Sequence, residues 1–291
     1  MDQNKLYNAL LKTQTQQRKK AEDSDQAEDN YKVERPFAKP VDAVMPDQLN
    51  DGHPPLLYDS SMSLGMINNP YPWSKKELKA RKIIYPSMAN KAILNAYREV
   101  RIKLRNRSDD KNFSVMVTSL SKAKGKKSTE NVLLPAFNLA ASFAIDAQSS
   151  ALLIDCDPYH NQLQSLVSTR MELGVTDYLD DRSLNVKEII YPSGIDRLSV
   201  VPAGTIDVSV VELFSSSRMK TLMNELKERY PDRYIVVNAP PFRVSTEARI
   251  LVRYSDHAIM TVPFGEISAE DIANAIETLD TDKFAGLIYQ E

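Results

Sequence analysis

The chain has 291 residues, 42% hydrophobic and 26% charged, with 37 basic against 39 acidic groups, a net charge of -2 and a single cysteine. That is the composition of an ordinary globular chain, long enough for one large or two small domains, and its balanced charge excludes a global field that would draw nucleic acid. One cysteine excludes an internal disulfide and fits a reducing cytoplasm, while the longest apolar stretch, 132–145, is interrupted by Pro135, Asn138 and Ser142 and falls short of the roughly 20 residues that cross a bilayer.

Residues 1–20 come first. Leu6, Leu10 and Leu11 stand at helical spacing ahead of Arg18, Lys19 and Lys20, a pattern that predicts a short amphipathic helix with basic residues at its C-terminal end. Docking to a partner and fraying in solvent both remain open for it. Residues 21–87 hold half of the 16 prolines, Pro36, Pro40, Pro46, Pro54, Pro55, Pro70, Pro72 and Pro86, among polar and acidic runs such as AEDSDQAEDN. Such a segment buries too little apolar area to offset its ordering entropy, so it is expected to be an extended, disordered arm. Within it Trp73, in NPYPW, is the kind of aromatic that anchors a chain, either onto the core or onto a partner.

From residue 88 to 291 the pattern changes. Short apolar runs at 114–119, 151–157, 198–204, 233–240, 257–265 and 284–290 predict strands, and 128–147, 208–229, 246–254 and 268–279 have the length and apolar spacing of helices. This alternation specifies an α/β fold, a doubly wound and mostly parallel sheet like that of the P-loop NTPases.

Ligands of such sheets bind beyond the carboxyl ends of the strands. After the first core strand the sequence reads SLSKAKGKKST and then enters a long helix, the frame of a phosphate-binding loop in which backbone N–H groups and a helix N-terminus hold an anion. The candidate cradle is Lys122, Lys124, Gly125, Lys126, Lys127, Ser128 and Thr129, with the Ser128 hydroxyl a candidate ligand of Mg2+. In GxxxxGK[ST] the glycines admit angles that a Cβ obstructs. With Lys127-Ser128 in the motif's frame their places fall on Ser121 and Lys126, and Gly125 is one position out of register. Two left-handed positions without glycine cost roughly 1–2 kcal/mol each, enough to weaken ATP binding by orders of magnitude. A solvated, lysine-rich loop capped by Ser128 is the plainer reading, and both stay open.

At the end of the second core strand Asp155 and Asp157 flank Cys156. Two carboxylates at i and i+2 project to one side, and can hold Mg2+ through water or orient an attacking hydroxyl; equally, one can cap the next turn while Cys156 fills the core. Asn238 closes a buried strand where nucleotide-hydrolysing folds present an Asp, which lowers the expected metal affinity. His53, His160 and His257 have no metal-ligand spacing with one another or with Cys156, and no zinc site is assigned.

Taken together these segments resemble the bacterial tyrosine kinases of exopolysaccharide and capsule export, within the deviant-Walker group of P-loop ATPases. NAYREVRIKL, VTSLSKAKGKKST, LLIDCDPYHN, GVTDYL, LSVVPAG, VELFSSSRMKTLMNEL and VVNAPPF follow the order and spacing of that family's blocks across roughly 88–290. The resemblance implies ATP and Mg2+ as cofactors, Asp155 and Asp157 as the catalytic and metal-binding carboxylates, and Arg98 and Arg101 as matches to the arginines of an oligomer interface. It also implies a membrane chain-length regulator or polymerisation component as partner, a homo- or hetero-oligomer with an active kinase, and a cytoplasmic location peripheral to the inner membrane through that partner. No nucleic acid is implied. The departures fall on one set of elements: the loop glycines, Asn238 in place of the Walker B Asp, the arginine pair after Asp157, the interface Glu replaced by Asn95, and the tyrosine-rich tail, which the ending Tyr289-Gln290-Glu291 lacks. A degenerate kinase that regulates by binding is therefore expected. The competing expectation is an active ATP-dependent tyrosine kinase whose four loop lysines replace the glycine cradle.

Overall fold

The computed structural model describes residue 69 and residues 71–290, apart from 110, 121–129, 161, 207 and 230–232. The helix expected over 1–20 and the greater part of the arm lie outside the described residues. The strands are β1 (Ser114–Ser119), β2 (Ser150–Asp155), β3 (Tyr191–Pro192), β4 (Leu198–Val201), β5 (Arg233–Asn238), β6 (His257–Pro263) and β7 (Phe284–Gln290). They form one sheet in the order β3-β4-β2-β5-β1-β6-β7, parallel at every pairing except the antiparallel β3-β4 edge. This is the doubly wound sheet expected from the sequence.

The central strands β1, β2 and β5 are buried at every position, which is why they read as unbroken apolar runs. Successive side chains serve two cores. Met116, Leu152 and Ile154 enter one beneath the sheet, and Val115, Val117, Ala151 and Leu153 enter the other above it. On the second side Phe143 stacks on Tyr234 at 4.3 Å between ring centroids, and Phe113 meets both edge-on.

The helices are α1 (Lys75–Ala80), α2 (Lys91–Arg107), α3 (Glu130–Ala144), α4 (Leu163–Leu166), α5 (Val175–Asp180), α6 (Val210–Ser215), α7 (Ser217–Arg229), α8 (Thr246–Leu251) and α9 (Ala269–Leu279), with 3-10 turns at Val186–Ile189 and Val252–Tyr254. The single helix expected over 208–229 is two. Ser216 takes an extended conformation, and its hydroxyl accepts from the Met219 N–H, so the serine run caps a new helix instead of continuing the old one.

A second difference concerns the arm. Packing onto the domain begins by Trp73, ahead of the boundary expected at 88. The Trp73 N–H donates to the Gly194 carbonyl, and its indole N–H donates to the Leu166 carbonyl at 3.1 Å. Arg81 covers the ring at 3.7 Å and donates to the Ser165 carbonyl. Gly194 sits at φ +97°, and a Cβ there would fall 2.6 Å from the indole, so both its angle and its closeness call for glycine. Further on, Ile83 and Ile84 are buried, and the backbone around them is held by Asn138 of α3, whose amide oxygen accepts from the Ile84 N–H and whose amide nitrogen donates to the Lys82 carbonyl. Asn138, a polar interruption in the sequence, is thus a satisfied buried clamp. Of the two destinations open to Trp73, the core is the one observed.

Two further sequence blocks form one joint. Gly174 meets the Pro202-Ala203-Gly204 turn after β4 so closely that a Cβ would lie 2.3 Å from the Gly204 nitrogen and from the Pro202 carbonyl oxygen. The Thr176 hydroxyl donates to the carbonyls of Ala203 and Thr205, and Asp177 accepts from the Gly174 N–H and the Thr205 hydroxyl.

Candidate active site at the carboxyl ends of β1, β2 and β5

The sheet order places the ends of β2, β5 and β1 side by side. Asp155 and Asn238 are register partners across β2 and β5, and Val117 opposes Asn238 across β1 and β5. The Thr118 hydroxyl donates to the Pro240 carbonyl at 2.6 Å, and the Phe242 N–H donates to the Ser119 carbonyl, fixing the turn after β5 against the end of β1. The loop residues Lys122, Lys124, Gly125, Lys126, Lys127, Ser128 and Thr129 lie outside the described residues.

Asp155 is 1% exposed and Asn238 2%. The Asn238 side-chain N–H donates to Asp155 Oδ1 at 2.7 Å, and the Asp157 backbone N–H donates to the same oxygen at 3.1 Å. Burial pushes the Asp155 carboxyl up to about 7 against the pull of these two donors, and the charge of Asp157 adds to the rise. The Asn238 Oδ1 atom is buried with no hydrogen-bond partner. Between the carboxyls Cys156 is wholly buried, and burial pushes its thiol well above the ordinary value, so it is an inert core group.

Asp157 is also buried, and burial raises its carboxyl while the neighbouring His160 lowers it. His160 Nδ1 lies 3.0 Å from Asp157 Oδ2, and the Tyr159 N–H donates to Oδ1 at 3.2 Å. The turn Asp157-Pro158-Tyr159-His160 thus folds back on its own carboxylate. Tyr159 extends across to α8, where its hydroxyl donates to Glu247 Oε1 at 2.5 Å; the Ser245 hydroxyl holds the other oxygen at 2.7 Å. Burial raises the Glu247 carboxyl, but these two hydroxyls outweigh it and hold the group below its ordinary value. Tyr159, Ser245 and Glu247 were not singled out by the sequence. Only the Ser-Thr-Glu start of α8 carries a signal, as a helix N-cap, and nothing marks Tyr159.

The structure brings Asp155, Asp157 and Asn238 together, with the Asn238 amide on Asp155 and His160 on Asp157. Of the candidate Mg2+ donors, Asp155 Oδ1 accepts from two N–H groups, Asp157 is held by His160 and a backbone amide, Asn238 offers a neutral amide, and Ser128 lies outside the described residues. Arg98 and Arg101 lie apart from this corner, on α2. Arg98 donates to Asn95 Oδ1, and Arg101 is turned toward α3, donating to the Ser142 carbonyl at 2.5 Å. Among the described residues no helix is long and apolar enough to cross a membrane.

Comparison with known proteins follows the same lines. The family profile described as the AAA domain matches residues 117–284, more than half of the chain. Tyrosine-protein kinase CpsD of Streptococcus pneumoniae is 27% identical over 187 residues, which is 63% of this chain and 78% of that protein. CpsD of Streptococcus agalactiae serotype III is 26% identical over 184 residues, 62% of this chain and 75% of that protein. Among solved structures, the kinase domain of the Escherichia coli tyrosine kinase ETK superposes with a TM-score of 0.61 at 21% identity, over 76% of this chain and 88% of that one. The chimerical protein CapA2B2 does so with 0.59 at 19% identity, over 79% and 96%. At these identities the structures speak for the fold alone.

Proposed function

Because the chain belongs to the AAA-domain family, in its bacterial tyrosine-kinase group, we propose that it serves exopolysaccharide assembly as a degenerate kinase that acts by binding. Its partner in this reading is a membrane chain-length or polymerisation component, to which it is recruited from the cytoplasm as a peripheral protein, alone or in an oligomer with an active kinase. The observation that carries the proposal is the corner where Asn238 donates to Asp155. A kinase needs its cation to neutralise charge on the transferring phosphoryl group, and catalysis there is almost entirely positioning and electrostatics. In this corner the Asn238 amide and the Asp157 N–H take one Asp155 oxygen, and His160 and the Tyr159 N–H hold Asp157. The inward turn of Arg101 and the loss of a carboxylate at 95 further support association with a different, intact protomer over a ring of identical copies.

One observation favours an active kinase. Asp155 and Asp157 are both retained at the end of β2, and the sequence that follows β1 carries four lysines suited to a triphosphate. The test is a titration of the purified chain with MgATP and MgADP, beside a variant carrying Asn238→Asp, Ser121→Gly and Lys126→Gly. Binding regained by the variant alone supports a decayed site. Micromolar MgATP binding by the natural chain, with phosphorylation of a tyrosine-rich peptide that Lys127→Ala abolishes, would establish the kinase instead.

A further inference from the structure

At the end of the sheet opposite Asp155 and Asn238, β6 begins with a histidine that the candidate site does not use. His257 is 8% exposed, and its Nε2 lies 2.6 Å from the hydroxyl of Ser108, the residue that caps the C-terminal end of α2. Phe113 meets the imidazole edge-on at 5.1 Å between ring centroids, and Nδ1 is buried with no hydrogen-bond partner. One ring thus ties the last turn of a helix to the first residue of a strand 149 positions away. The charges around it are arranged against a proton. Arg107 of α2 and Lys227 of α7 both repel one, and Asp256 attracts one. The Asp256 carboxylate is already engaged by the Lys227 ammonium at 2.9 Å and by the Ser114 N–H and hydroxyl at 2.8 and 2.9 Å. In the turn ahead of β7, the Asp282 carbonyl accepts from Arg107 at 2.5 Å and the Lys283 ammonium donates to the Val252 and Arg253 carbonyls, while Asp109, next to Ser108, is exposed. Burial first, and then the two cations, hold the imidazole below its ordinary value of 6.5.

We propose that His257 is an acid-sensitive latch on α2: as a neutral ring it fastens the helix's last turn to the sheet, and on taking up a proton it lets that turn go. The neutral ring has one N–H and one lone pair, and the Ser108 hydroxyl, which can donate or accept, satisfies Nε2 in either tautomer. The imidazolium has two N–H donors. Ser108 can accept from one, but the N–H at Nδ1 then meets no acceptor, and a buried charge with an unpaired donor costs far more than an unpaired lone pair. The cation gains water only by leaving the contact, which frees Ser108 and loosens the turn around it. Arg105 stays paired with Asp146 and Arg101 with the Ser142 carbonyl, so the release is confined to the end of the helix. Below pH 6.5 the unlatched ring binds more protons than the latched one, so the latch's contribution is whole above that value and is lost as the pH falls. What it governs is the freedom of the helix that carries Arg98 and Arg101. The inference stands apart from the kinase reading, since no nucleotide, metal or partner enters it.

The test follows the full chain by hydrogen exchange and by NMR of the imidazole ring as the pH is lowered from about 7.5 to about 5. Protection of the amides at 104–108, corrected for the intrinsic pH dependence of exchange, is expected to fall roughly three- to tenfold over that range, while the amides of β2 do not lose theirs. The His257 ring should titrate below 6.5, its resonance being identified by its absence from His257→Gln. In His257→Gln a neutral amide can still meet Ser108, so protection at the higher pH is kept and the fall disappears. Ser108→Ala removes the other half of the contact and should leave the end of α2 weakly protected at both pH values, a readout that holds even if the glutamine variant does not fold. A ring that titrates at or above 6.5, protection at 104–108 that is flat with pH in the parent, the same fall in His257→Gln, or parent-like protection in Ser108→Ala overturns the latch.

Discussion

Asn238 and Asp155 are register partners on adjacent parallel strands, and the 2.7 Å hydrogen bond from the Asn238 amide to Asp155 Oδ1 ties the ends of β5 and β2 together. An amide in this place bridges without charge. A second carboxylate would meet the first at hydrogen-bond distance, and one of the two would have to stay protonated or bind a cation.

Asn238→Asp should therefore destabilise the chain at mildly alkaline pH in the absence of divalent cations, by about 2–3 kcal/mol. Urea unfolding would show the loss, and it should shrink on acidification, as the pair comes to share a proton, and on addition of Mg2+. A variant as stable as the parent under all three conditions would remove the bridge from the account.

Asp155 makes a second prediction, in pH. Its carboxyl is raised to about 7 in the folded chain from an ordinary value of 3.8, so between those two values the unfolded chain has released a proton that the folded chain retains. Stability contributed by the neutral carboxyl is complete below about pH 4 and is lost as the pH rises toward 7, on the order of a few kcal/mol in all. Asp155→Asn keeps an acceptor for Asn238 and cannot ionise. It should unfold at a higher temperature than the parent at pH 8 and differ little at pH 4, and calorimetry across that range decides it.

Trp73 is the only tryptophan of the chain, and it is buried under Arg81 against the Leu166 and Gly194 carbonyls. Intrinsic fluorescence therefore reports this contact alone. Emission should be blue-shifted in the native chain and move to the red on unfolding, and Trp73→Ala should cost about 3 kcal/mol in urea unfolding. A native emission maximum like that of free tryptophan would contradict the packing described.

Gly174→Ala places a methyl group 2.3 Å from two backbone atoms of the turn after β4, which neither rotamer change nor side-chain movement can relieve. Overpacking against backbone of this kind should cost about 3 kcal/mol or more. Asp180→Ala, at the exposed end of the same helix, should fall within about 0.5 kcal/mol of the parent and serves as the control.

The strands were legible because the three that flank the crevice, β1, β2 and β5, are buried on both faces, and a run such as Leu152-Leu153-Ile154 has no other reading in a chain that alternates with helices. The edge pairing of Tyr191-Pro192 was not legible, since two residues carry no period. The helices α4 and α5 were missed for the same reason, each being shorter than two turns. In the site, Asp155, Asp157 and Asn238 announced themselves by position at strand ends. The partners they chose did not, because His160 is brought to Asp157 by a turn and Glu247 to Tyr159 across 88 positions of sequence. Arg101 shows a further limit. Its match to an interface arginine was readable, but its direction depends on where α3 lies, and only the packed pair reveals that it faces the Ser142 carbonyl.

The Asn138 clamp gives α3 a mechanical part. This helix follows the phosphate-loop segment, and through Asn138 it grips the backbone at Lys82 and Ile84 while its Ser142 carbonyl receives Arg101 of α2. One helix thus fastens two separate stretches, the backbone at 82–84 by a side-chain amide and α2 by a main-chain carbonyl, so loosening α3 would release both at once.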